Sequence, residues 1–192
     1  MSKFLWLVCC LFLSAALSGQ TDAKINVGSA LGGGINVAAE FPLGGQSALS
    51  VGAAYSSLAY FDTDNEDYRY RSLRLIPEYR YYFAPRAGFD RFFVGGYGKV
   101  GRVAGTDIWS HEEIRAMRAA IGMLSGHKWI APSGFLYELN AGIGRSVTFG
   151  GNEDEAVYQK VIGDLSGLDL RLGILVGWRF TKQDPGRRRS AR

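Results

Sequence analysis

The sequence predicts an all-β fold, an eight-stranded antiparallel up-and-down transmembrane β-barrel, on three observations. Segments with apolar residues at every second position follow one another almost from end to end. The gaps between them alternate between short and long, as they do when short turns gather at one end of a membrane barrel and long loops at the other. After residue 20 no run approaches the roughly 20 apolar residues of a membrane-crossing helix, so this aromatic- and glycine-rich chain can enter a bilayer only as strands.

Residues 1–18 read as a cleaved signal peptide: Lys3 precedes an apolar run over residues 4–13, and Ser14, Ala15, Ala16 and Ser18 are small enough for a cleavage site. Cys9 and Cys10 both lie in that segment, preceded by Trp6, Leu7 and Val8 rather than by the small residues of a lipoprotein signal. The mature chain is therefore expected to carry no disulfide, thiol nucleophile or lipid anchor. Its length of about 170 residues suits one domain.

The expected strands cover residues 24–30, 35–41, 48–61, 72–83, 91–103, 115–130, 135–147 and 168–180. The last is the clearest: Leu168, Leu170, Leu172, Ile174, Val176, Trp178 and Phe180 alternate with Asp169, Arg171, Gly173, Leu175, Gly177 and Arg179. One face suits hydrocarbon and the other a crowded polar interior. Residues 72–83 split in the same way, with Leu73, Leu75, Pro77, Tyr79, Tyr81 and Phe83 opposite Arg74, Glu78 and Arg80. So do residues 135–147, with Tyr137, Leu139, Ala141 and Ile143 opposite Glu138, Asn140, Gly142 and Gly144.

The short turns fall at residues 42–46, 84–90 and 131–134, and the outer loops at 31–34, 62–71, 104–114 and 150–167. Aromatic residues gather near both ends, as interfacial girdles require: Tyr81, Phe83, Phe92, Trp129, Phe135, Trp178 and Phe180 below, Tyr55, Tyr60, Phe61, Tyr70 and Phe149 above. A basic tail, residues 181–192, follows the last strand. The formal charge of +4 is mild and five of the arginines sit in that tail or at the end of the last strand, which is weak ground for nucleic acid.

Two places resist the pattern. Ser110 and Glu113 form a capping-box pair, followed by Ile114, Met117, Ile121 and Leu124 at helical spacing, so a helix over residues 110–123 competes with strand six. Pro77 sits mid-strand in a barrel that offers no edge, which calls for a bulge or a locally skipped hydrogen bond.

The segment Ile76-Pro-Glu-Tyr-Arg-Tyr-Tyr-Phe83, then Arg91-Phe-Phe-Val-Gly-Gly-Tyr-Gly98 and Phe135-Leu-Tyr-Glu-Leu-Asn-Ala-Gly-Ile-Gly144, resembles a domain-of-unknown-function family of small outer-membrane barrels. The resemblance covers most of the mature chain and implies an OmpA/OmpX-like architecture, without an activity or catalytic residues. Arg171, Gly173, Val176 and Trp178 also resemble the C-terminal signal read by the barrel-assembly machinery, although here the chain continues through residues 181–192.

The inward charges are the most informative constellation: Glu40, Glu78, Glu138 and Asp169 against Arg74, Arg80, Lys99, Arg118 and Arg171. An eight-stranded barrel is just wide enough inside for side chains, so ions of both signs are expected to pair and plug the lumen rather than line an open or gated pore.

Other motifs read as structural. Gly96-Tyr-Gly-Lys-Val-Gly101 matches a dinucleotide fingerprint but lacks the helix start behind it; glycines at alternate positions relieve crowding inside a narrow barrel. Asp62-Thr-Asp-Asn-Glu-Asp67 begins like a calcium loop but lacks the glycine and the closing glutamate, and reads as a solvated acidic loop. Ser125 and His127 share the lipid-facing side, while the nearest carboxylate, Glu138, points inward, so no hydrolytic triad is expected. His111 reads as a loop residue without partners.

The expectation is a monomeric Gram-negative outer-membrane barrel with a structural or surface-interaction role, no cofactor, no metal and no catalysis. Its partners would be outer-membrane lipids, the assembly machinery and an extracellular partner reached through the loops. A lipid-modifying enzyme, a narrow pore and a soluble periplasmic ligand-binding barrel are the alternatives; the last would require the apolar faces to turn inward.

Overall fold

Alternating strands bury their backbone polar groups only in ladders, and closing the sheet on itself leaves no edge unpaired. The computed structural model describes residues 20–31, 33–61, 67–86, 88–107, 113–149 and 167–180. The expected signal segment, the basic tail and most of the three long loops lie outside the described residues.

The strands are β1 (Thr21–Asn26), β2 (Gly34–Gly44), β3 (Ser47–Phe61), β4 (Asp67–Tyr82), β5 (Arg91–Asp107), β6 (Glu113–Ile130), β7 (Phe135–Phe149) and β8 (Leu168–Phe180). Each pairs antiparallel with its sequence neighbours, and β1 closes on β8 from Thr21↔Phe180 to Asn26↔Leu175. The all-β, closed up-and-down barrel expected from the alternation is the observed fold.

A circuit along directly paired residues runs from Asp22 through Glu40, Ser50, Glu78, Tyr97, Gly122 and Gly144 to Asp169. Asp22 itself closes on Arg179, ten residues further along β8 than the circuit's end. That stagger tilts the strands and leaves an interior that side chains can fill.

Several expectations need correction. β1 begins at Thr21 and ends at Asn26, and a single helical turn, α1 (Gly28–Leu31), replaces the expected strand end. The Ser29 hydroxyl donates to the Asn26 carbonyl at 2.6 Å, and the Ile174 amide donates to the Asn26 side chain at 3.2 Å, so the chain turns there. The β3–β4 and β5–β6 hairpins are longer than expected, because residues assigned to loops 62–71 and 104–114 continue pairing, as in Arg71↔Ala104 and Ala104↔Arg115. β2 starts opposite Ser56, so β3 beyond it pairs with β4 alone, and the β3–β6 wall rises past its neighbours at the loop end.

The competing helix is overturned over residues 113–123, while 108–112 lie outside the described residues. There β6 pairs with β5 from Thr106↔Glu113 and with β7 from Met117↔Phe149. A helix would leave β5 and β7 with open edges. Pro77 skips its ladder partner: β4–β5 pairing is interrupted between Leu75↔Val100 and Glu78↔Tyr97 with no change of register, so no bulge forms there. The register shift lies instead between Pro42 and Gly44, in the β2–β3 hairpin.

The two faces differ as the alternation requires. Leu172 is 82 % exposed on the outside, whereas Arg80, Lys128, Glu40 and Glu138 inside are 0 % exposed. The apolar faces are therefore not turned inward. At the turn end the outward rings form an arc: Tyr81 meets Phe83 edge-on at 5.2 Å, Phe83 meets Phe92 at 5.7 Å, and Trp129 stacks on Tyr137 at 5.2 Å. At the loop end Tyr55 and Phe149 face outward. Tyr70, expected beside them, shares the inward parity of Ser72 and Arg74, and the side chains of Tyr60 and Phe61 are outside the described residues.

Candidate functional site: the charged lumen

Inward positions on six strands place ions of both signs at the same level near the turn end. Glu40 on β2 accepts from Lys24 at 2.5 Å, Arg80 at 3.1 Å, Lys128 at 3.0 Å and the Tyr82 hydroxyl. Glu138 on β7 accepts from Lys24 and Arg80, each at 2.9 Å, and from Asn140 at 2.8 Å. Glu78 takes Arg80 at 2.6 Å and Arg171 at 2.5 Å. Asp22 takes Lys128 at 2.8 Å and Arg179 at 2.6 Å.

Four carboxylates thus interlock with Lys24, Arg80, Lys128 and Arg179, and Arg171 reaches the cluster from above. Any one of these charges alone would be costly in so tight an interior; the four carboxylates, Lys24, Arg80, Lys128 and Arg179 are each offset by two or more opposite partners or hydrogen bonds, and Arg171 by Glu78. Because the partners come from β1, β2, β4, β6, β7 and β8, the network ties opposite walls together across the lumen.

An aromatic floor lies under the ions. The turn after β4 folds inward and buries Phe89, whose carbonyl accepts from Arg179 at 2.9 Å. Lys128 and Arg179 lie over the Phe89 ring at 4.4 and 4.3 Å, and Arg80 over Phe93 at 4.5 Å. Cations on ring faces gain further attraction where water is excluded.

Halfway up, Tyr97 lies across the lumen and donates to Asp169 at 2.6 Å, where Lys99 also pairs at 2.7 Å. The ring has room because facing residues are glycine: a Cβ at Gly122 would come within 2.7 Å of Tyr97 Cζ, and one at Gly144 within 2.8 Å of its hydroxyl. This corrects the sequence reading for Gly96 and Gly98, while Gly101 keeps the inward, crowded place expected of it. Tyr97 and Lys99 point inward, so Gly96 and Gly98 face outward, and crowding is relieved by Gly122 and Gly144 across the ladder.

Toward the loop end the interior is sparser. Arg74 donates to the Ser56 hydroxyl at 3.4 Å, and Arg118 to the Ser146 hydroxyl at 2.9 Å and the Leu168 carbonyl at 3.3 Å. Arg74 Nε, Arg171 Nη1 and Thr148 Oγ1 are buried without a partner among the described residues.

Of the nine lumen charges expected, Glu40, Glu78, Arg80 and Glu138 meet in the turn-side cluster, Arg171 joins it, and Lys99 pairs with Asp169. Arg74 and Arg118 bond hydroxyl and carbonyl oxygens rather than carboxylates among the described residues. Sequence reasoning missed Asp22, Lys24 and Lys128, and it placed Arg179 on the inward face of the last strand without counting it among the paired charges. Lys128 was findable, since it alternates with the outward neighbours His127 and Trp129.

The remaining motifs lie apart from this network. Gly96 to Gly101 run through the middle of β5, with no turn or helix start. Ser125 and His127 are on the outer face, His127 packing on Trp129 at 4.3 Å between centroids, while Glu138 is committed to cations on the other side of the wall. The acidic run 62–66 and His111 lie outside the described residues, and Asp67 opens β4. No group of three potential metal ligands occurs among the described residues.

No curated protein and no solved structure matches the chain. A family model does, that of a protein of unknown function (DUF3575), over residues 3–180, which takes in every strand of the barrel. The chain belongs to that family.

Proposed function

We propose that the protein is an outer-membrane barrel of a Gram-negative envelope, exported by residues 1–18 and folded with the barrel-assembly machinery, that serves as a closed structural and surface-interaction element. One observation carries the reading: the barrel is inside out relative to a soluble protein, with Leu172, Ile121 and Met123 bare outside and Arg80, Lys128, Glu40 and Glu138 buried inside. Hydrocarbon is the solvent that makes this arrangement favourable, and the aromatic arc at the turn end suits the interface beside it. The crossed ion pairs and Phe89 leave the lumen filled, so the reading excludes bulk conduction and assigns no catalysis. Contact with a partner falls to the outer loops, 62–71, 104–114 and 150–167, of a monomer surrounded by lipid.

Cell fractionation followed by a boiled-versus-unboiled gel tests this directly. Recovery in the outer membrane with a mobility shift on boiling is expected. Recovery as a soluble periplasmic protein would overturn it.

A further inference from the structure

Outside the barrel, the strands that rise highest at the loop end carry arginines where the apolar belt stops. Arg71, Arg102 and Arg115 occupy outward positions on β4, β5 and β6. The ladder sets Arg71 beside Ala104 and Ala104 beside Arg115, and Leu73 beside Arg102 and Arg102 beside Met117. Arg71 and Arg115 thus sit one outward step above Leu73 and Met117, and Arg102 lies between those two at their own level, around a shallow groove of about 450 Å³ that Tyr55 also lines.

A single carboxylate organises the group. Glu113 accepts from Arg115 at 2.7 Å and lies 3.7 Å from Arg71. Bonded to Arg115 above the belt, its carboxyl is held below the ordinary carboxylate range, so it stays ionised, holds Arg115 and attracts Arg71. Among the described side chains lining the groove, three cations against one anion leave an excess of two positive charges facing outward. The guanidinium fork matches phosphate oxygens in pairs, and the apolar lower half of the groove continues the hydrocarbon belt.

We propose that this groove binds one phosphorylated lipid of the loop-side leaflet, its phosphate held by Arg71, Arg102 and Arg115 and its acyl chain lying against Leu73 and Met117. The inference rests on the membrane reading above. A soluble anion would satisfy the arginines but would leave the apolar half bare.

The test uses the full chain refolded in detergent micelles, titrated with diphosphoryl lipid A and read by native mass spectrometry. One lipid should bind, and removing its phosphates or introducing Arg71→Gln, Arg102→Gln and Arg115→Gln together should weaken binding by about tenfold or more, two charge-assisted hydrogen bonds being at stake. Arg145→Gln, on the outer face of β7, should leave it unchanged, and the boiling shift should show every variant folded. Equal binding by the triple variant would overturn the proposal, as would displacement by millimolar inorganic phosphate, which would mark the site as one for the free ion. Insertion into phosphatidylcholine vesicles separates the two readings: failure to insert removes the membrane reading with this one, whereas insertion with unaltered lipid binding in the triple variant removes this one alone.

Discussion

Both halves of the lumen carry buried arginines, but what those arginines meet differs between the halves. At the turn end, each carboxylate meets at least two cations on different strands, and Phe89 closes the floor beneath them. At the loop end, Arg74 and Arg118 hold hydroxyl and carbonyl oxygens, and Arg74 Nε has no partner among the described residues. The turn end is tied across the lumen because carboxylates and cations from different strands arrive at one level, which the ten-residue stagger of the strands sets, whereas the loop-end arginines Arg74 and Arg118 fall back on neutral oxygens.

Substitutions sharpen this contrast. Arg80→Met removes the cation shared by Glu40, Glu78 and Glu138, and should cost about 3–5 kcal/mol in urea unfolding from lipid vesicles, the usual penalty for breaking a buried ion network on one side. A change within about 0.5 kcal/mol would show the turn-side cluster to be no tighter than the loop side.

Gly122→Val comes next. Its Cβ would lie 2.5 Å from the Ile143 carbonyl and 2.7 Å from the Tyr97 ring, so overpacking should cost about 1–3 kcal/mol by the same assay. Tyr97→Phe should cost about 1 kcal/mol, since it deletes one hydrogen bond to Asp169 while Lys99 still holds that carboxylate.

Arg74→Met should have the smallest effect, within about 0.5 kcal/mol, because it gives up one long bond to Ser56 along with an unpartnered Nε. If Arg74→Met proved as damaging as Arg80→Met, the distinction between the two halves would disappear.

Much of the barrel is legible in the sequence because its outer face is strongly apolar. β8 is the plainest case: residues 168–180 alternate without a break, and the observed strand has the same bounds. β1 is the opposite case, since between Thr21 and Asn26 the outward side shows only Ala23 and Ile25, too little to mark where the strand begins. That weakness hid Asp22 and Lys24, which take part in three of the four turn-side carboxylate groupings.

The helical spacing of Ile114, Met117, Ile121 and Leu124 misleads because strand pairing is a nonlocal effect. Ile121 and Met117 turn out with outward parity while Leu124 turns in against Phe93, Tyr97 and Tyr82. Side-chain direction could be inferred from alternation, as it was for Glu40, Glu78, Glu138 and Arg171. Partner choice could not, since which residues meet across the lumen depends on the stagger, and no local pattern reports that. Phe89 was hidden for a related reason: a turn residue has no period to betray that it folds under the barrel.

The central claim is that the protein forms a membrane barrel whose turn-side ion cluster seals it. Planar-bilayer recording on wild-type protein, with insertion established by the boiling shift of the same preparation, tests that most directly. The inserted barrel is expected to pass no ion current across the voltage range. A steady wild-type conductance would contradict the claim, because current cannot pass while Lys24, Arg80 and Lys128 bridge Glu40, Glu138 and Asp22 above Phe89.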